Sequence, residues 1–181
     1  MNELLNDVEK IILSEEQIIN ICKKLGDQIS KDYVGKNPLF IGFLKGCAPF
    51  FCELLKRISI ACEIDFIIAS SYSGSSSTGS VKIKKDLDQD IEGRDIILVE
   101  DIVETGTTLN EVINILKKRN PKSIKVVTLL DKPSNRNVSI KPDYTGMEIP
   151  NEFVIGFGLD YNEKYRNLPF VGVLKKEIYS K

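Results

Sequence analysis

The sequence predicts an α/β fold with a central parallel β-sheet flanked by helices. One continuous apolar run at residues 39–44 and two largely apolar stretches at 95–100 and 124–130 have the length and composition of buried strands. A helical pattern from about Thr107 separates the second run from the third. A strand, a helix and a strand in this order form a βαβ unit, in which the two strands are parallel.

The elements before this unit are predicted from capping signals and spacing. Residues 14–17, Ser-Glu-Glu-Gln, have the pattern of a capping box at a helix start. The apolar side chains behind it recur at helical spacing, at Ile18, Cys22, Leu25 and Ile29. Pro49 suits the first turn of a second helix, and strands are expected at residues 63–68 and 81–84.

The pattern becomes less regular toward the C-terminus. The helix from Thr107 ends at residues 120–121, Asn-Pro, because proline cannot continue it. Beyond Pro133 only short strands are expected, at residues 153–157 and 170–174.

Composition and charge exclude several classes of function. The chain has 181 residues, enough for one domain (1–181), and its net charge is −1, so we expect neither nucleic acid nor a membrane as a partner. It has no histidine, and none of its four cysteines is spaced as CxxC, which argues against zinc sites and Cys-His or Ser-His-Asp catalysis. No signal peptide is recognised, and we expect free, buried thiols and a cytoplasmic location.

The end of the strand at 95–100 carries the most informative polar residues. Glu100 and Asp101 are adjacent, and Glu104 follows three residues later. Because ligands of open α/β sheets bind at the carboxyl ends of the strands, these carboxylates could accept hydrogen bonds from sugar hydroxyls or hold Mg²⁺. The alternative is a solvated acidic loop.

A hydroxyl-rich turn follows the acidic residues and opens the next helix. Backbone N–H groups at a helix start, together with the helix dipole, favour an anion such as phosphate. Gly106 would let the backbone approach that anion, and hydroxyl donors flank it at Thr105, Thr107 and Thr108. The alternative is simple N-capping by Thr105 or Thr107. The segment is not a P-loop, because no GxxxxGK[ST] pattern is present.

Residues 99–109 resemble the phosphoribosyl-pyrophosphate motif of type I phosphoribosyltransferases. The resemblance extends over nearly the whole chain, and Lys132 together with residues 159–166 is similar to the 6-oxopurine branch. It implies the type I fold, with a small hood built from the N-terminal region and residues 133–181. It also implies a homodimer or homotetramer, and a mobile loop at the Ser/Gly-rich residues 70–80, for which a disordered tether is the alternative.

The resemblance implies a role for each candidate in the sugar-phosphate half of the site. The 5′-phosphate would be held by Thr105, Gly106, Thr107 and Thr108, and the ribose by Glu100 and Asp101. Pyrophosphate would be held by Lys45, Gly46, Ser71, Tyr72 and Arg166. Magnesium would be held by Glu100, Asp101 and Asp160. In this family the peptide bond before the lysine is often cis. The plain alternatives are a solvated lysine at Lys45 and a surface ion pair at Arg166.

The purine half would consist of Lys132, Phe153, Val154 and Asp160. By resemblance, the Lys132 ammonium donates to O6 of the purine and selects 6-oxopurines over adenine, whose 6-amino group cannot accept that bond. Phe153 would stack on the base, and Val154 would offer main-chain groups to its edge. Without the flanking match, the preferred interpretation of Phe153 is an ordinary core position.

Glu104 departs from the family pattern, which usually has aspartate as the base that removes the N7 proton of the purine. Glutamate keeps the carboxylate, and its reference pKa is about 4.3 against 3.9, but it adds one methylene. We expect Glu104 to act as the proton acceptor through another rotamer. The alternative is an exposed acidic residue at the helix start.

The predicted function is transfer of the 5-phosphoribosyl group from phosphoribosyl pyrophosphate to hypoxanthine and guanine, with Mg²⁺, giving IMP or GMP and pyrophosphate. Two rivals remain open. One is a phosphoribosyltransferase that prefers xanthine, and the other is a nucleic-acid-binding regulator built on the same fold.

Overall fold

The computed structural model describes residues 2–71 and 81–180, with an α/β architecture of two sheets. The helices are α1 (Asn2–Leu5), α2 (Glu15–Asp32), α3 (Ala48–Leu55), α4 (Thr107–Lys117) and α5 (Lys176–Tyr179), with a 3₁₀ helix at Pro133–Asn135. The strands are β1 (Val8–Leu13), β2 (Leu39–Phe43), β3 (Glu63–Ser71), β4 (Val81–Lys85), β5 (Asp95–Val103), β6 (Ser123–Asp131), β7 (Tyr144–Glu148), β8 (Val154–Ile155) and β9 (Val171–Leu174).

The larger sheet has six strands in the order β4-β3-β2-β5-β6-β7. Five of them are parallel, as the βαβ pattern predicts, and β4 pairs with β3 in the antiparallel sense. The predicted central parallel sheet is therefore confirmed, and the sequence did not indicate the antiparallel direction of its edge strand β4. The two strands pair in the antiparallel sense because few residues separate the end of β3 from the start of β4. A crossover between parallel strands needs a longer connection.

Two apolar layers hold helices against the faces of the large sheet. The helix α2 begins with the predicted capping box, in which Ser14 and Gln17 exchange side-chain and backbone hydrogen bonds. Its buried face, together with α3, covers one side of the sheet, and α4 covers the other. The central strands β2 and β5 are largely buried between these layers, which explains the apolar runs at residues 39–43 and 96–99.

The smaller sheet joins the two ends of the described chain. The strand β9 lies between β1 and β8 and is antiparallel to both. A separate apolar cluster at this end of the molecule includes Ile155, Leu168, Phe170 and Leu174. The strand β7 also falls within residues 133–181 but pairs with the large sheet.

The cysteines differ in part from the prediction. All four are free thiols, and Cys22 and Cys47 are buried. Cys52 is exposed and Cys62 is half-buried, so the prediction of buried thiols was wrong for these two. On α3 the buried positions are Phe50, Phe51 and Leu54, and the helical period turns Cys52 to the opposite face.

No helix in the portion of the chain that the structure describes has the length and apolarity needed to cross a membrane.

Candidate active site

The turn between β5 and α4 lies at the carboxyl edge of the large sheet. Gly106 has a φ of +74° and is the N-cap of α4, which begins at Thr107 as predicted. A Cβ at Gly106 would lie 2.5 Å from Cγ2 of Ile140, so the residue has no room for a side chain. The main-chain N–H of Asn137 donates to the Thr105 carbonyl at 3.0 Å. The following segment thus packs against the turn and fixes its shape.

A cavity of about 180 Å³ opens at this helix start, and we call it the α4 cavity. It is lined by Glu100, Ile102, Val103, Glu104, Thr105, Gly106, Thr108 and Leu109. Gly106 has no side chain to cap the helix, and Thr105 Oγ1 accepts only a long bond, 3.4 Å, from the N–H of Thr107. N–H groups of the first helical turn have no intrahelical acceptor, so they favour an anion here. Thr107 is exposed and does not line the cavity.

A larger cavity of about 490 Å³ lies beside the first, and we call it the β6 cavity. It is lined by Asp101, Ile102, Glu104, Lys132, Asn135, Asn151, Glu152, Phe153, Val154, Leu159, Asp160 and Tyr179. All four residues predicted for the purine half are in this set. The two cavities share Ile102 and Glu104, so a ligand that spans both must pass these side chains.

The acidic pair Glu100-Asp101 lies inside β5, which continues three residues beyond the predicted end to Val103. The extension is held by β6, where Thr128 pairs with Glu100 and Leu130 with Ile102. Alternate side chains of a strand point to opposite faces. Glu100 therefore lines the α4 cavity and Asp101 the β6 cavity, so the two carboxylates do not share one cavity as adjacent groups at a strand end would.

Burial dominates the electrostatics of this pair. It raises the pKa of Glu100 well above its usual value, and the neighbouring charge of Asp101 raises it further. Burial also raises the pKa of Asp101 to about 6; the charge of Asp160 adds to the shift, while Arg166 opposes it. A cation or hydroxyl donors at these oxygens would favour the ionised forms.

Lys132 follows the last residue of β6 and is almost completely buried, at 3% exposure. Its Nζ forms an ion pair with the carboxylate of Glu104, and its main-chain N–H donates to the Val103 carbonyl at 2.9 Å. A buried ammonium needs such a partner, because an unpaired buried charge is costly. The pair presents a donor and an acceptor side by side on the wall of the β6 cavity.

Lys45, Gly46 and Arg166 converge beside Asp101. The peptide bond between Leu44 and Lys45 is cis, which confirms the expectation for this position. Lys45 Nζ lies 3.1 Å from a carboxylate oxygen of Glu163, and Arg166 contacts both Glu163 (3.4 Å) and Asp160 (2.8 Å).

Gly46 lies against the carboxylate of Asp101. A Cβ there would be 1.8 Å from Oδ2 of Asp101, so the close approach requires glycine. A Cβ at Gly158 would in turn lie 1.9 Å from the Gly46 carbonyl oxygen. Arg166 Nη1 donates to the Gly158 carbonyl at 2.7 Å, and its buried Nε has no hydrogen-bond partner among the described residues. The two loops are thus pressed together around the acidic residue.

Comparison with known proteins decides the family. The phosphoribosyl transferase domain model matches residues 9–162. The chain is 58% identical to the hypoxanthine-guanine phosphoribosyltransferase of Streptococcus pyogenes serotype M3 over 176 residues, which covers 97% of this chain and 98% of the relative. It is 56% identical to the enzyme of the same name from Streptococcus agalactiae serotype V over 177 residues, with the same shares covered. The chain belongs to the hypoxanthine-guanine phosphoribosyltransferase family.

A solved structure agrees with this assignment. A hypoxanthine phosphoribosyltransferase from Staphylococcus aureus superposes with a TM-score of 0.95 at 51% identity, covering 98% of this chain and 97% of that one. The resemblance, the type I fold class and the prediction of a phosphoribosyltransferase enzyme are therefore confirmed.

Phe153 is one residue of this phosphoribosyltransferase that sequence alone left ambiguous. It is 37% exposed and lines the β6 cavity, so it is not a core residue. Its ring stacks on Tyr179 of α5, with centroids 4.8 Å apart and an angle of 20°, and meets Tyr161 edge-on at 5.7 Å. The cavity residues to which the sequence analysis assigned no role are Ile102, Asn135, Asn151, Glu152, Leu159 and Tyr179.

Two of the residues predicted to bind pyrophosphate are Ser71, the last residue of β3, and Tyr72, which follows it. Tyr72 and the rest of the loop predicted at 70–80 lie outside the described residues from position 72 onward, while residues 70 and 71 still belong to β3. Ser71 is described through its strand pairing with Val81. Within residues 2–71 and 81–180 no group of three or more Asp, Glu, Cys or His side chains is arranged to hold a metal ion.

Proposed function

We propose that the chain transfers the 5-phosphoribosyl group of phosphoribosyl pyrophosphate to N9 of hypoxanthine or guanine, giving IMP or GMP and pyrophosphate. The observation that carries the proposal is the ion pair between the buried Lys132 and the exposed Glu104, which lies where the two cavities meet. A 6-oxopurine has an acceptor, O6, next to N7, which carries a proton in one tautomer of the free base. Lys132 and Glu104 match this edge as donor and acceptor, whereas adenine presents an amino donor to Lys132.

The sugar-phosphate half of the proposal uses the α4 cavity. The 5′-phosphate would be bound by N–H groups and hydroxyls of residues 105–108, where the helix dipole and Gly106 favour a close anion. The ribose hydroxyls would lie at Glu100 and Asp101, on the two sides of β5. Hydrogen bonds donated by these hydroxyls would offset the burial of both carboxylates.

The pyrophosphate would be bound by Lys45, Gly46 and Arg166, with Ser71 and Tyr72 closing over it. In the free protein Glu163 contacts both cations. We propose that pyrophosphate oxygens take the place of this carboxylate, because the guanidinium fork and the ammonium fit phosphate oxygens well. The Nε of Arg166 supports this, since it is a buried donor without an acceptor among the described residues.

Magnesium fits the carboxylates on the wall of the β6 cavity. Asp101 and Asp160 face the same cavity, and Asp160 helps to raise the pKa of Asp101, so a cation would relieve their repulsion. Mg²⁺ prefers oxygen ligands and usually keeps waters and substrate oxygens besides one or two carboxylates. Its chemistry, when it is bound, would be to neutralise charge on the departing pyrophosphate. Glu100, which lines the other cavity, would act on the ribose rather than on the same ion.

The protein side chains would handle the proton and the base. As N9 attacks C1′ and the bond to pyrophosphate breaks, the proton on N7 would pass to Oε of Glu104. Lys132 would hold O6 during this step, Phe153 would stack on the ring and the main chain of Val154 would meet its edge. Because Glu104 and Lys132 are already in contact, purine binding needs only a small separation of the pair.

A turnover assay tests the proposal. The chain would be incubated with phosphoribosyl pyrophosphate, Mg²⁺ and each of hypoxanthine, guanine, xanthine and adenine, and the nucleotide product would be measured. Hypoxanthine and guanine should give product, adenine none. If xanthine gives product fastest, the proposed base specificity is wrong. If none of the four bases gives product, the proposed reaction is wrong.

We further propose a cytoplasmic homodimer or homotetramer. The four free cysteines support a reducing compartment. Light scattering of the purified chain tests the assembly, and a monomer over the micromolar range would contradict it.

A further inference from the structure

We propose that Tyr179, near the end of the chain, is a positioning residue of the purine site, and this inference rests on the proposed function. Its ring lines the β6 cavity and stacks on Phe153, with centroids 4.8 Å apart and ring planes 20° apart. Phe153 is the ring on which the purine would lie. Tyr179 therefore belongs to the wall that recognises the base, although the two residues are far apart in the sequence.

The main chain holds the two rings in a fixed relation. The N–H of Leu174 donates to the Phe153 carbonyl at 2.9 Å, and the N–H of Lys175 donates to the Asp7 carbonyl at 2.9 Å. These bonds anchor the chain immediately before α5, which then carries Tyr179 over Phe153. The position of the C-terminal ring thus follows from the pairing of β8 with β9 and from the N-terminal segment.

The stack restricts the side chain on which the base would lie. Phe153 is 37% exposed, so without a neighbour its ring could rotate about χ1 and χ2 at little cost. Tyr179 contacts it in a nearly parallel arrangement and Tyr161 contacts it at 87°. Both geometries are favourable for aromatic pairs. Together they fix the plane of Phe153, which lowers the entropy that purine binding must remove.

Ordinary packing of α5 is the competing explanation, and Ile178 separates the two. Ile178 lies on the same helix, is half-buried and packs against the same apolar cluster as Tyr179, but it does not line the β6 cavity. If α5 only stabilises the small sheet, Ile178 and Tyr179 should be equivalent. If Tyr179 acts through Phe153, only Tyr179 should affect the base.

The test measures KM for hypoxanthine and for phosphoribosyl pyrophosphate in Tyr179→Ala, Tyr179→Phe and Ile178→Ala. Tyr179→Ala should raise KM for hypoxanthine about 3- to 10-fold, the size expected for one lost aromatic pair, and change KM for phosphoribosyl pyrophosphate less than about twofold. Tyr179→Phe should restore the wild-type value because stacking does not need the hydroxyl. Ile178→Ala should leave both constants unchanged.

Several outcomes would overturn the inference. These are an unchanged or lowered KM for hypoxanthine in Tyr179→Ala, a parallel rise in both constants, or an equal effect of Ile178→Ala. If Tyr179→Ala does not fold, Tyr179→Leu keeps apolar volume without an aromatic ring, and it should show the same selective rise. Wild-type turnover separates the two proposals, because its absence contradicts the proposed function, whereas normal turnover with unaffected variants contradicts only the role of Tyr179.

Discussion

The α4 cavity and the β6 cavity are built in opposite ways. The α4 cavity is made by one continuous stretch, residues 100–109, which passes from a strand through a turn into a helix. The β6 cavity is assembled from several separated segments, and its last member is Tyr179. The first can be recognised in the sequence because its geometry is local. The β6 cavity depends on strand pairing in the small sheet, and this pairing joins segments that are far apart in the sequence.

Glu104 lies where the two cavities meet, and replacing it should have the largest effect. Glu104→Gln removes the proton acceptor but keeps the shape of the side chain, so kcat should fall about 100-fold or more. Steady-state kinetics with hypoxanthine would measure this, and Glu104→Asp, which keeps a carboxylate, is the matched control. Unchanged turnover in Glu104→Gln would show that the proton leaves by another route.

Lys132 tests the purine half alone. Lys132→Met keeps most of the length of the side chain but removes the donor to O6, so KM for hypoxanthine should rise roughly 10-fold or more, as for a lost hydrogen bond to a charged group. KM for phosphoribosyl pyrophosphate should change much less. Steady-state kinetics with each substrate varied in turn would measure both constants. An equal rise in KM for hypoxanthine and KM for phosphoribosyl pyrophosphate would contradict the assignment of the two substrates to separate cavities.

Gly106 tests the phosphate half alone. In Gly106→Ala the Cβ would meet Ile140 at a positive φ, so the turn must shift, and the free energy of unfolding should fall by about 1–3 kcal/mol. Denaturant titration would measure this loss. KM for phosphoribosyl pyrophosphate should rise several-fold more than KM for hypoxanthine.

Gly35 provides the control for that variant. It has a φ of +72°, and no atom lies within 4 Å of the place that a Cβ would occupy, so Gly35→Ala carries the backbone cost without the contact. Equal kinetic effects of the two alanines would contradict a special role for the turn at Gly106.

The smallest expected effect concerns the small sheet. The Tyr165 hydroxyl donates to Asp7 at 2.6 Å, and this bond, together with burial, raises the pKa of Tyr165 to about 12. Tyr165→Phe should lower the free energy of unfolding by about 1 kcal/mol. Since the folded pKa lies above the unfolded value of about 10, the difference from wild type should be full below that value and shrink as the pH rises through the folded pKa. Thermal melts from about pH 8 to about pH 11 would measure it, and a constant difference would contradict the bond.

The same contrast explains which parts of the molecule could be predicted from the sequence. The start of α4 at Thr107 and the capping box at Ser14 depend on neighbours within a few residues, and both were predicted correctly. The end of β5 was placed too early because pairing with β6 carries the strand through Glu100 and Asp101.

The strands β8 and β9 of the small sheet were expected from the sequence, but β1 and the position of Tyr179 were not. The strand β1 is mostly exposed along its length, and its partner β9 lies near the opposite end of the chain. Tyr179 is a single aromatic residue in a polar tail, and only the fold brings it to Phe153. The family resemblance pointed to Lys132, Phe153, Val154 and Asp160, but only the fold shows that Tyr179 lines the same cavity.

The most direct test of the two-part site is a crystal structure of the chain with IMP bound. We predict the 5′-phosphate at the main-chain N–H groups of residues 105–108, the purine against Phe153, O6 at Lys132 and N7 at Glu104. A phosphate bound instead at Lys45 and Arg166, or a base lying outside the β6 cavity, would contradict the account.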